Sequence, residues 1–188
     1  MKHRNGSGKR KMLNSTEILE LIEKQQLVRE YVDLQKQLQP CGFDLSLAEI
    51  RRFDDGGCVD FSNEKRVIGS TTPVQPDTEG WYDLSKGCYM MVYNEVVKMP
   101  LDVVAIARTR STLLRNGASV ETAVWDPGYQ GRSSSLLVVH SPHGIRIRKN
   151  ARVAQLVFSR IKEVKEGYAG IYQDERVKKR LKPDHKRL

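Results

Sequence analysis

Four short polar clusters in this 188-residue chain contain side chains that could act on a bound ligand. They are Asp44, the run Arg108–Arg115, Asp126 with the five residues after it, and the pair Arg152 and Gln155. Carboxylates hold hydrated Mg²⁺ and orient water, whereas arginine, serine and amide groups bind phosphate oxygens. Because these groups occur together with only 4 histidines, the set indicates hydrolysis of a magnesium-bound phosphoanhydride.

Taken singly, each cluster also has a structural explanation. The sequence Asp-Pro-Gly-Tyr-Gln-Gly at residues 126–131 is typical of a turn in any β protein, and Arg115 fits an ordinary surface charge. Arg152 and Gln155 are three positions apart, so on a regular strand they should face opposite sides of the sheet. The sequence lacks the nucleophile-elbow, Walker, zinc-protease and dinucleotide-binding motifs, which excludes the chemistry that those motifs provide.

The pattern around these clusters predicts a mainly β domain that follows a short helix. Asn14 and Glu17 fit a capping box, and apolar residues then recur at helical spacing, which predicts a helix over about 14–25. Runs rich in Val, Ile, Tyr and Thr predict strands at Phe43–Leu47, Tyr89–Val97, Val103–Arg108, Ser135–His140, Ile145–Ile147 and Ala151–Phe158. The composition of Gly69–Gly80 predicts a loop. Since no interval leaves room for crossover helices, we expect an antiparallel barrel or sandwich.

The basic character of the chain lies at its two ends. The formal net charge is +9, and residues 1–12 and 174–188 carry all of the excess positive charge. A domain that binds nucleic acid specifically should carry basic charge on its folded surface, so we expect no specific nucleic-acid partner. The sequence thus divides into a basic tail (1–12), a domain (13–165) and a second basic tail (166–188).

The sequence favours a cytoplasmic protein that does not span a membrane. No apolar run approaches the ~20 residues that a spanning helix needs. The basic start is not followed by the apolar stretch of ~7–15 residues of a secretory signal. The 3 cysteines form no Cys-x-x-Cys pair, so neither a disulfide framework nor a structural zinc site is indicated, and a reducing cytoplasm is the expected compartment.

In order and spacing, the clusters resemble the motifs of the dUTPase and dCTP deaminase superfamily. Gln39–Leu45 is similar to the first motif, and Arg110–Leu113 to the Arg-Ser-Ser/Gly-Leu of the second. Asp126–Gly131 is similar to the third, Asp-x-x-Tyr/Phe-x-Gly, and Arg152–Leu156 to the fourth, Arg-Ile/Val-Ala/Gly-Gln-Leu. Glu95–Pro100 also resembles the stretch that precedes the second motif. Four motifs in the same order make the resemblance specific, and it is strongest to archaeal-type dUTPases.

The resemblance implies a β-clip fold, which is a distorted antiparallel barrel, and a homotrimer with active sites between subunits. The implied reaction is Mg²⁺-assisted attack of water on the α-phosphorus of dUTP, giving dUMP and pyrophosphate. Asp126 would orient and deprotonate the water, Tyr129 would lie against the deoxyribose and exclude a 2′-hydroxyl, and Asp44 would act on Mg²⁺ through water. The remaining substrate-binding residues would be Arg110, Ser111 and Gln155 on phosphate, Arg108 and Arg115 in support, and Trp125 at the end of the hairpin that reads uracil.

Two other functions remain open at this point. Deaminases of the superfamily carry a catalytic glutamate five residues after the glycine that closes the third motif, and Leu136 occupies that position here. Because leucine cannot transfer a proton, a diphosphatase is favoured over a dCTP deaminase or a dCTP-cleaving relative. A catalytically inactive nucleotide-binding regulator is the third reading, and the presence of both water-orienting and phosphate-binding groups argues against it.

The C-terminal tail departs from the pattern of the superfamily. The usual Gly-rich motif is absent, and residues 167–173 followed by basic side chains stand in its place. We predict that this tail is the active-site lid, in which Tyr168 or Tyr172 supplies an aromatic face and Arg176 or Lys179 contacts phosphate. A tail that only increases solubility and attracts polyanions is the alternative.

Overall fold

The computed structural model describes residues 11–177, which contain three short helices and fourteen strands. The helices are α1 (Ser15–Gln25), α2 (Leu34–Gln37) and α3 (Ser111–Arg115). The strands are β1 (Lys11–Met12), β2 (Val28–Arg29), β3 (Leu38–Gln39), β4 (Gly42–Phe53), β5 (Thr71–Pro73), β6 (Trp81–Leu84), β7 (Gly87–Tyr93), β8 (Val96–Lys98), β9 (Val103–Thr109), β10 (Ala118–Glu121), β11 (Gln130–Gly131), β12 (Ser134–Val139), β13 (Ile145–Arg148) and β14 (Arg152–Arg160).

Helix α1 begins where the sequence predicts. The side chain of Asn14 accepts a hydrogen bond of 3.0 Å from the backbone N–H of Glu17, and the Glu17 carboxylate accepts one of 3.1 Å from the backbone N–H of Asn14. This reciprocal capping satisfies two donors that the first turn leaves without helical partners. The helix buries the side chains of Ile18, Leu21 and Ile22 in the core. Within residues 11–177, no helix has the length and apolar character to span a membrane.

A curled antiparallel sheet of nine strands forms most of the domain. Strands β1, β14, β4, β7, β12 and β10 are neighbours in that order, while β3 and β5 pair with β4 and β9 pairs with β14. A three-stranded sheet, β11-β8-β2, and the ribbon of β6 and β13 complete the described part. All of these strand pairs are antiparallel, so the predicted fold class, a mainly β, distorted antiparallel barrel with a short N-terminal helix, is confirmed.

Several boundaries differ from the prediction because they depend on pairing between distant segments. Strand β4 continues past the predicted end at Leu47, since its second half pairs with β7 and β5. The predicted strand Tyr89–Val97 is two strands, β7 and β8, separated by Asn94 and Glu95. Strand β5 lies in the predicted loop Gly69–Gly80, and β1 begins the sheet inside the segment that its charge assigned to the first tail. Local composition does not reveal these pairings.

Candidate active site

Asp44 lies on β4 with its carboxylate surrounded by hydrogen-bond donors. Its Oδ2 atom is 3.2 Å from Arg110 Nε and 3.2 Å from Arg152 Nη1, and its Oδ1 atom accepts a hydrogen bond of 3.3 Å from Gln155 Nε2. The Asp44 side chain is only 1% exposed. Burial raises the pKa of this carboxyl group, and the two guanidinium groups oppose the rise. Asp44 therefore holds in position Arg110 and Gln155, which sequence analysis assigned to phosphate binding, and also Arg152 of the fourth motif.

A β-bulge in β14 brings Arg152 and Gln155 to the same carboxylate. Arg152 lies opposite Ser46 on β4 and Ala154 lies opposite Leu45, so β14 has one residue more than β4 over this interval. An extra residue reverses the alternation of side chains along the strand. Arg152 and Gln155 both contact Asp44, so the prediction that they face opposite sides of the sheet is wrong.

Gly42 of the first motif lets β4 and β14 approach closely beside this bulge. A Cβ atom at Gly42 would clash with the backbone oxygen of Leu156 and would lie 2.9 Å from Cγ of Gln155, both closer than real Cβ contacts. Any larger residue would therefore force β4 and β14 apart and displace the Gln155 side chain. Gly42 of the first motif thus leaves the space that the Gln155 side chain of the fourth motif occupies.

Glu95 supports Asp44 from the interior of the domain. Its carboxylate is fully buried and accepts hydrogen bonds from Ser46 N at 2.9 Å, Ser46 Oγ at 2.5 Å and Gln37 Nε2 at 2.6 Å. The Gln37 amide also donates to the backbone oxygen of Asp44 at 2.8 Å. Burial raises the pKa of Glu95. These bonds hold the backbone of β4 around Asp44, which gives a role to the stretch that precedes the second motif.

Arg110 and Arg152 also line a large basic cavity of about 920 Å³. Arg146 and Arg148 on β13 and Trp81 on β6 lie on its other side. The guanidinium carbons of Arg146 and Arg148 lie 5.2 and 5.8 Å from the centroid of the Trp81 ring. The positive charge of this cavity is suited to an anion such as a polyphosphate.

Asp126 and Tyr129 lie at a second cavity, of about 500 Å³. Asp126 is exposed, and the backbone of Trp125 before it exchanges two hydrogen bonds with Ala105 on β9. The indole N–H of Trp125 donates to Ser133 Oγ at 3.0 Å. Tyr129 is only 6% exposed, and its backbone N–H donates a hydrogen bond of 3.1 Å to the backbone carbonyl oxygen of Asp126. The strand β9 and this turn therefore present the Asp126 carboxylate at the cavity.

Residues 167–177, which we name the C-terminal strap, pack over the third motif. Backbone hydrogen bonds of 2.7–2.9 Å join Tyr168 N to Pro127 O, Asp174 N to Gln130 O, and Arg132 N to Glu175 O. Gly128 has a φ of +82°, and a Cβ atom there would lie 2.7 Å from the Cα atom of Gly167. The motif glycine thus provides both the left-handed turn and the space for the strap.

Sequence analysis missed Glu175, which is part of this cavity. Glu175 Oε1 accepts a hydrogen bond of 3.0 Å from the hydroxyl of Tyr129, and the Tyr168 ring packs edge-on against Tyr129 at a centroid distance of 5.6 Å. Burial raises the pKa of both Tyr129 and Glu175, and the charge of Glu175 adds to the rise at Tyr129. Glu175 lies in a basic tail and in no recognisable motif, so no local signal identified it.

The structure divides the predicted site residues between separate places. The second cavity is lined by the predicted residues Trp125, Asp126, Tyr129, Tyr168, Tyr172 and Arg176. Arg110 lines the first cavity, Arg108 lines another of about 400 Å³, and Ser111 and Arg115 are exposed at the two ends of α3. Lys179 lies outside the described residues. One chain therefore brings Arg176 of the tail to the Asp126 cavity, but not the phosphate-binding candidates of the second motif.

The position that holds the catalytic glutamate in deaminases of the superfamily lies on β12, next to the second cavity. Leu136 at this position is directly opposite Glu121 on β10, and both line a small cavity of about 250 Å³. Side chains of directly opposed residues lie on the same face of an antiparallel pair. A carboxylate is therefore present beside the position, although the position itself holds leucine.

The residues do not fit a magnesium site formed by this chain alone. The family resemblance of the sequence implies a magnesium-assisted reaction. Among residues 11–177 there is no group of three or more His, Cys, Asp or Glu side chains that could hold a metal ion. Asp44 is 1% exposed and binds two guanidinium groups, so it does not fit a carboxylate that acts through metal-bound water.

Comparisons with known proteins agree with these motifs. A model of the dCTP deaminase-like family matches residues 12–161. The probable deoxyuridine 5′-triphosphate nucleotidohydrolase of Methanosarcina mazei is 45% identical over 166 residues, which cover 87% of this chain and 97% of that protein. The corresponding protein of Archaeoglobus fulgidus is 46% identical over 166 residues, 88% of this chain and 98% of that protein.

A solved structure supports the fold. The 2′-deoxycytidine 5′-triphosphate deaminase of Agrobacterium tumefaciens superimposes with a TM-score of 0.62 at 20% sequence identity. The match covers 80% of this chain and 48% of the deaminase, so the chain spans about half the length of that protein. With the family match over residues 12–161 and archaeal relatives aligned over nearly their whole length, the chain belongs to the dCTP deaminase-like family.

Proposed function

We propose that the protein is a dUTP diphosphatase. Water attacks the α-phosphorus of dUTP, the bond from that phosphorus to the oxygen that bridges to the β-phosphorus breaks, and dUMP and pyrophosphate leave. The observation that carries the proposal is the cavity that combines the exposed Asp126 carboxylate with the Tyr129 ring. The names of the archaeal relatives, which are nucleotidohydrolases of deoxyuridine 5′-triphosphate, support the same substrate.

Asp126 is the proposed general base. Its side chain is exposed and has no ion-pair or hydrogen-bond partner among residues 11–177, so its oxygens are open to a water molecule. It accepts the proton of the attacking water as the new bond to phosphorus forms. Tyr129 packs against the deoxyribose, where a 2′-hydroxyl would collide with the ring. Trp125 keeps the hairpin in place through its bonds to β9 and Ser133.

Side chains of the second and fourth motifs bind the phosphates. Arg110 and Gln155 are the principal ligands with Ser111, because Asp44 already directs the first two. Arg108 and Arg115 are exposed and contribute charge. Arg110 lines a cavity that shares no lining residue with the Asp126 cavity of the same chain. We propose that a homotrimer completes the site by placing the phosphate-binding face of one subunit beside the Asp126 cavity of the next. A heterologous interface of this kind closes into a ring.

Magnesium is the proposed metal ion, and it is carried by the substrate. Mg²⁺ commonly keeps several waters and binds through substrate phosphates. It would neutralise charge on the triphosphate. The function of Asp44 is then to hold Arg110, Arg152 and Gln155 in position, instead of the water-mediated metal contact that the resemblance implied.

The C-terminal strap is the proposed lid. This proposal is supported by Tyr168, Tyr172 and Arg176, which line the Asp126 cavity and would supply two aromatic rings and one cation to cover a base and a phosphate. Removal of residues 166–188 should therefore raise KM for dUTP and lower kcat. Equal activity after this truncation would disprove the lid.

We propose that the protein acts in the cytoplasm. Cys41, Cys58 and Cys88 are exposed single thiols. Exposed thiols remain reduced in the cytosol, whereas oxidising compartments convert them to disulfides. Alkylation of thiols in intact cells before lysis, with 3 reactive groups expected, checks this.

Product analysis tests the reaction. The protein is incubated with Mg²⁺ and with each of dUTP, dCTP, dTTP and UTP, and monophosphate, pyrophosphate and ammonia are measured. We expect dUMP and pyrophosphate from dUTP only. No product from any nucleotide would overturn the proposal in favour of a nucleotide-binding regulator, and the basic tails would then be examined for partners.

Deamination of dCTP is the second candidate, and the position of Glu121 favours it. Glu121 faces the side of the sheet where the deaminase glutamate would lie. If Glu121 moves a proton during attack on the cytosine ring, dCTP releases ammonia and Glu121→Gln abolishes that release. Absence of ammonia from dCTP removes this candidate.

A further inference from the structure

Glu175 is the second carboxylate of the Asp126 cavity, and the proposed reaction does not use it. We infer that Glu175 is a positioning residue, which holds Tyr129 against the sugar and thereby sets the preference for deoxyribose over ribose. This inference rests on the proposed function, because it concerns the sugar of the same substrate. It is carried by the contacts of Glu175, by the backbone around it and by Gly131.

Both carboxylate oxygens of Glu175 have partners. Oε1 accepts the hydrogen bond of 3.0 Å from the Tyr129 hydroxyl, and Oε2 is 2.7 Å from Nη1 of Arg176. The Glu175 side chain is 18% exposed, so water competes weakly for these bonds. A hydrogen bond to a charged acceptor is stronger than one between neutral groups. The hydroxyl of Tyr129 is thus held at its tip.

The backbone presents Glu175 to the third motif. Its carbonyl oxygen accepts a hydrogen bond of 2.9 Å from Arg132 N, and it forms a parallel bridge with Gly131. Asp174 and Arg176, on either side, have φ angles of 59° and 53°, which non-glycine residues rarely adopt. Such conformations persist only where surrounding contacts maintain them. The contacts of the strap therefore maintain the backbone conformation in which Glu175 lies beside Tyr129.

Gly131 provides the space in which Tyr129 and Glu175 meet. A Cβ atom at this position would lie 2.9 Å from Cζ of Tyr129 and 3.0 Å from Cγ of Glu175. The glycine that closes the third motif is therefore in contact with both members of the hydrogen bond. A methyl group here would separate them or displace the Tyr129 ring.

These contacts restrict how Tyr129 can move. The Tyr168 ring packs edge-on against Tyr129 at an interplanar angle of 78°, and Glu175 holds the hydroxyl at the other end. A ring that is packed against Tyr168 and held at its hydroxyl cannot turn aside to admit a 2′-hydroxyl. Without Glu175 only the packing against Tyr168 restrains the Tyr129 ring. Selectivity for deoxyribose should then fall more than the rate with dUTP.

Kinetics with dUTP and UTP test the positioning role. We expect Glu175→Ala to lower the ratio of kcat/KM for dUTP to that for UTP by about 10-fold, the effect of losing one discriminating contact. In Glu175→Gln this ratio should stay within about 2-fold of that of the unaltered protein, because the amide oxygen still accepts the hydrogen bond from the Tyr129 hydroxyl. Glu163→Ala, an exposed glutamate before the strap, is the matched control. Equal selectivity in Glu175→Ala and the unaltered protein would overturn the inference.

A double-mutant cycle separates positioning from general destabilisation. Tyr129→Phe removes the donor of the same hydrogen bond, so Tyr129→Phe with Glu175→Ala should lower selectivity no further than Tyr129→Phe alone. If the two losses of selectivity multiply in the double variant, the two side chains do not act through one hydrogen bond. A Glu175→Gln variant that is as unselective as Glu175→Ala would also contradict that hydrogen bond.

Hydrogen exchange provides a readout that does not require activity. The amides of Tyr168, Asp174 and Arg132 donate the backbone hydrogen bonds that close the strap. We expect slow exchange in the unaltered protein and in Glu175→Gln, and about 10-fold faster exchange in Glu175→Ala. Equal exchange in the three proteins would overturn the contact itself. If no dUTP is hydrolysed but these differences are found, the proposed function fails and the Tyr129–Glu175 contact stands.

Discussion

Two carboxylates that position other side chains lie in different settings in this protein. Asp44 is 1% exposed and lies within β4, between paired strands, whereas Glu175 is 18% exposed and lies in the C-terminal strap. Asp44 binds two guanidinium groups and an amide, and Glu175 binds a hydroxyl and one guanidinium group.

This difference separates stability from selectivity. The strand ladder on both sides of Asp44 forms only when the whole sheet forms, so its loss affects the free energy of unfolding. The strap depends on a few hydrogen bonds to the third motif and can open locally. We expect changes near Asp44 to act on stability and, through Arg110 and Gln155, on phosphate binding, and changes near Asp126 and Glu175 to act on catalysis and selectivity.

Asp126→Asn should have the largest effect on activity and almost no effect on stability. An amide cannot accept the proton of the attacking water, so kcat should fall by about 10²–10⁴-fold with little change in KM. The free energy of unfolding should change by less than about 0.5 kcal/mol, because Asp126 is exposed. Steady-state kinetics with dUTP and urea unfolding measure the two quantities. An unchanged kcat would remove Asp126 from the mechanism.

Asp44→Ala tests the other region. Removing this carboxylate leaves Arg110 and Arg152 without their counter-charge, and we expect a loss of about 3 kcal/mol, at the lower end for buried pairs because both arginines are partly exposed. Asp83→Ala is the control, since it breaks an exposed ion pair with Arg146 and should cost less than about 1 kcal/mol. If urea unfolding showed similar losses of stability in Asp44→Ala and Asp83→Ala, the expected difference between the buried and the exposed carboxylate would be contradicted.

Glu95→Gln sharpens the comparison through its pH dependence. The pKa of Glu95 is raised from 4.5 by burial, so the folded protein binds this proton more tightly than the unfolded chain. The resulting stabilisation is complete below pH 4.5 and is lost as the pH rises through the raised pKa. We expect the free energy of unfolding to fall with rising pH in this window.

The glutamine variant should remove that part of the pH dependence. It should also lower stability by about 1–3 kcal/mol, because its amide N–H₂ must face the donors Ser46 and Gln37. Urea unfolding at pH values below and above 4.5 measures both effects. An identical pH dependence in the two proteins would show that Glu95 does not titrate in this window.

Gly131→Ala should lower stability less than Asp44→Ala. The added Cβ atom would clash with the Tyr129 hydroxyl oxygen and would lie 3.0 Å from Cγ of Glu175. We expect a loss of about 1 kcal/mol, at the lower end for overpacking, because Glu175 belongs to the strap, which can move away. The preference for dUTP over UTP should fall together with strap protection in hydrogen exchange. Gly56→Ala is the matched control, since no atom lies within 4 Å of its added Cβ. Equal selectivity in the two variants would contradict close packing at Gly131.

Local signals were sufficient for parts of the fold and the site. Helix α1 was predictable because the capping box of Asn14 and Glu17 is formed by residues three apart. Antiparallel pairing was predictable because the strand runs follow one another too closely for crossover helices. The placement of Asp126 at a turn was predictable because the residues after it favour that turn.

Other features depend on pairs of segments that are distant in the chain. The bulge that brings Arg152 and Gln155 together arises from the register of β14 against β4. Glu175 reaches Tyr129 from 46 residues further along the chain. Neither the register nor this contact leaves a periodic pattern in the sequence.

The sequence by itself determined the family, the mainly β class and the chemical groups available for phosphate hydrolysis, because motif order, strand propensity and turn residues are local properties. Only the tertiary structure decided which of those groups meet. It placed Asp44 among arginines, put Asp126 in a different cavity and brought Glu175 to Tyr129. The physical reason is that these contacts follow from strand register and from close approach at glycines, which are set by packing over the whole domain.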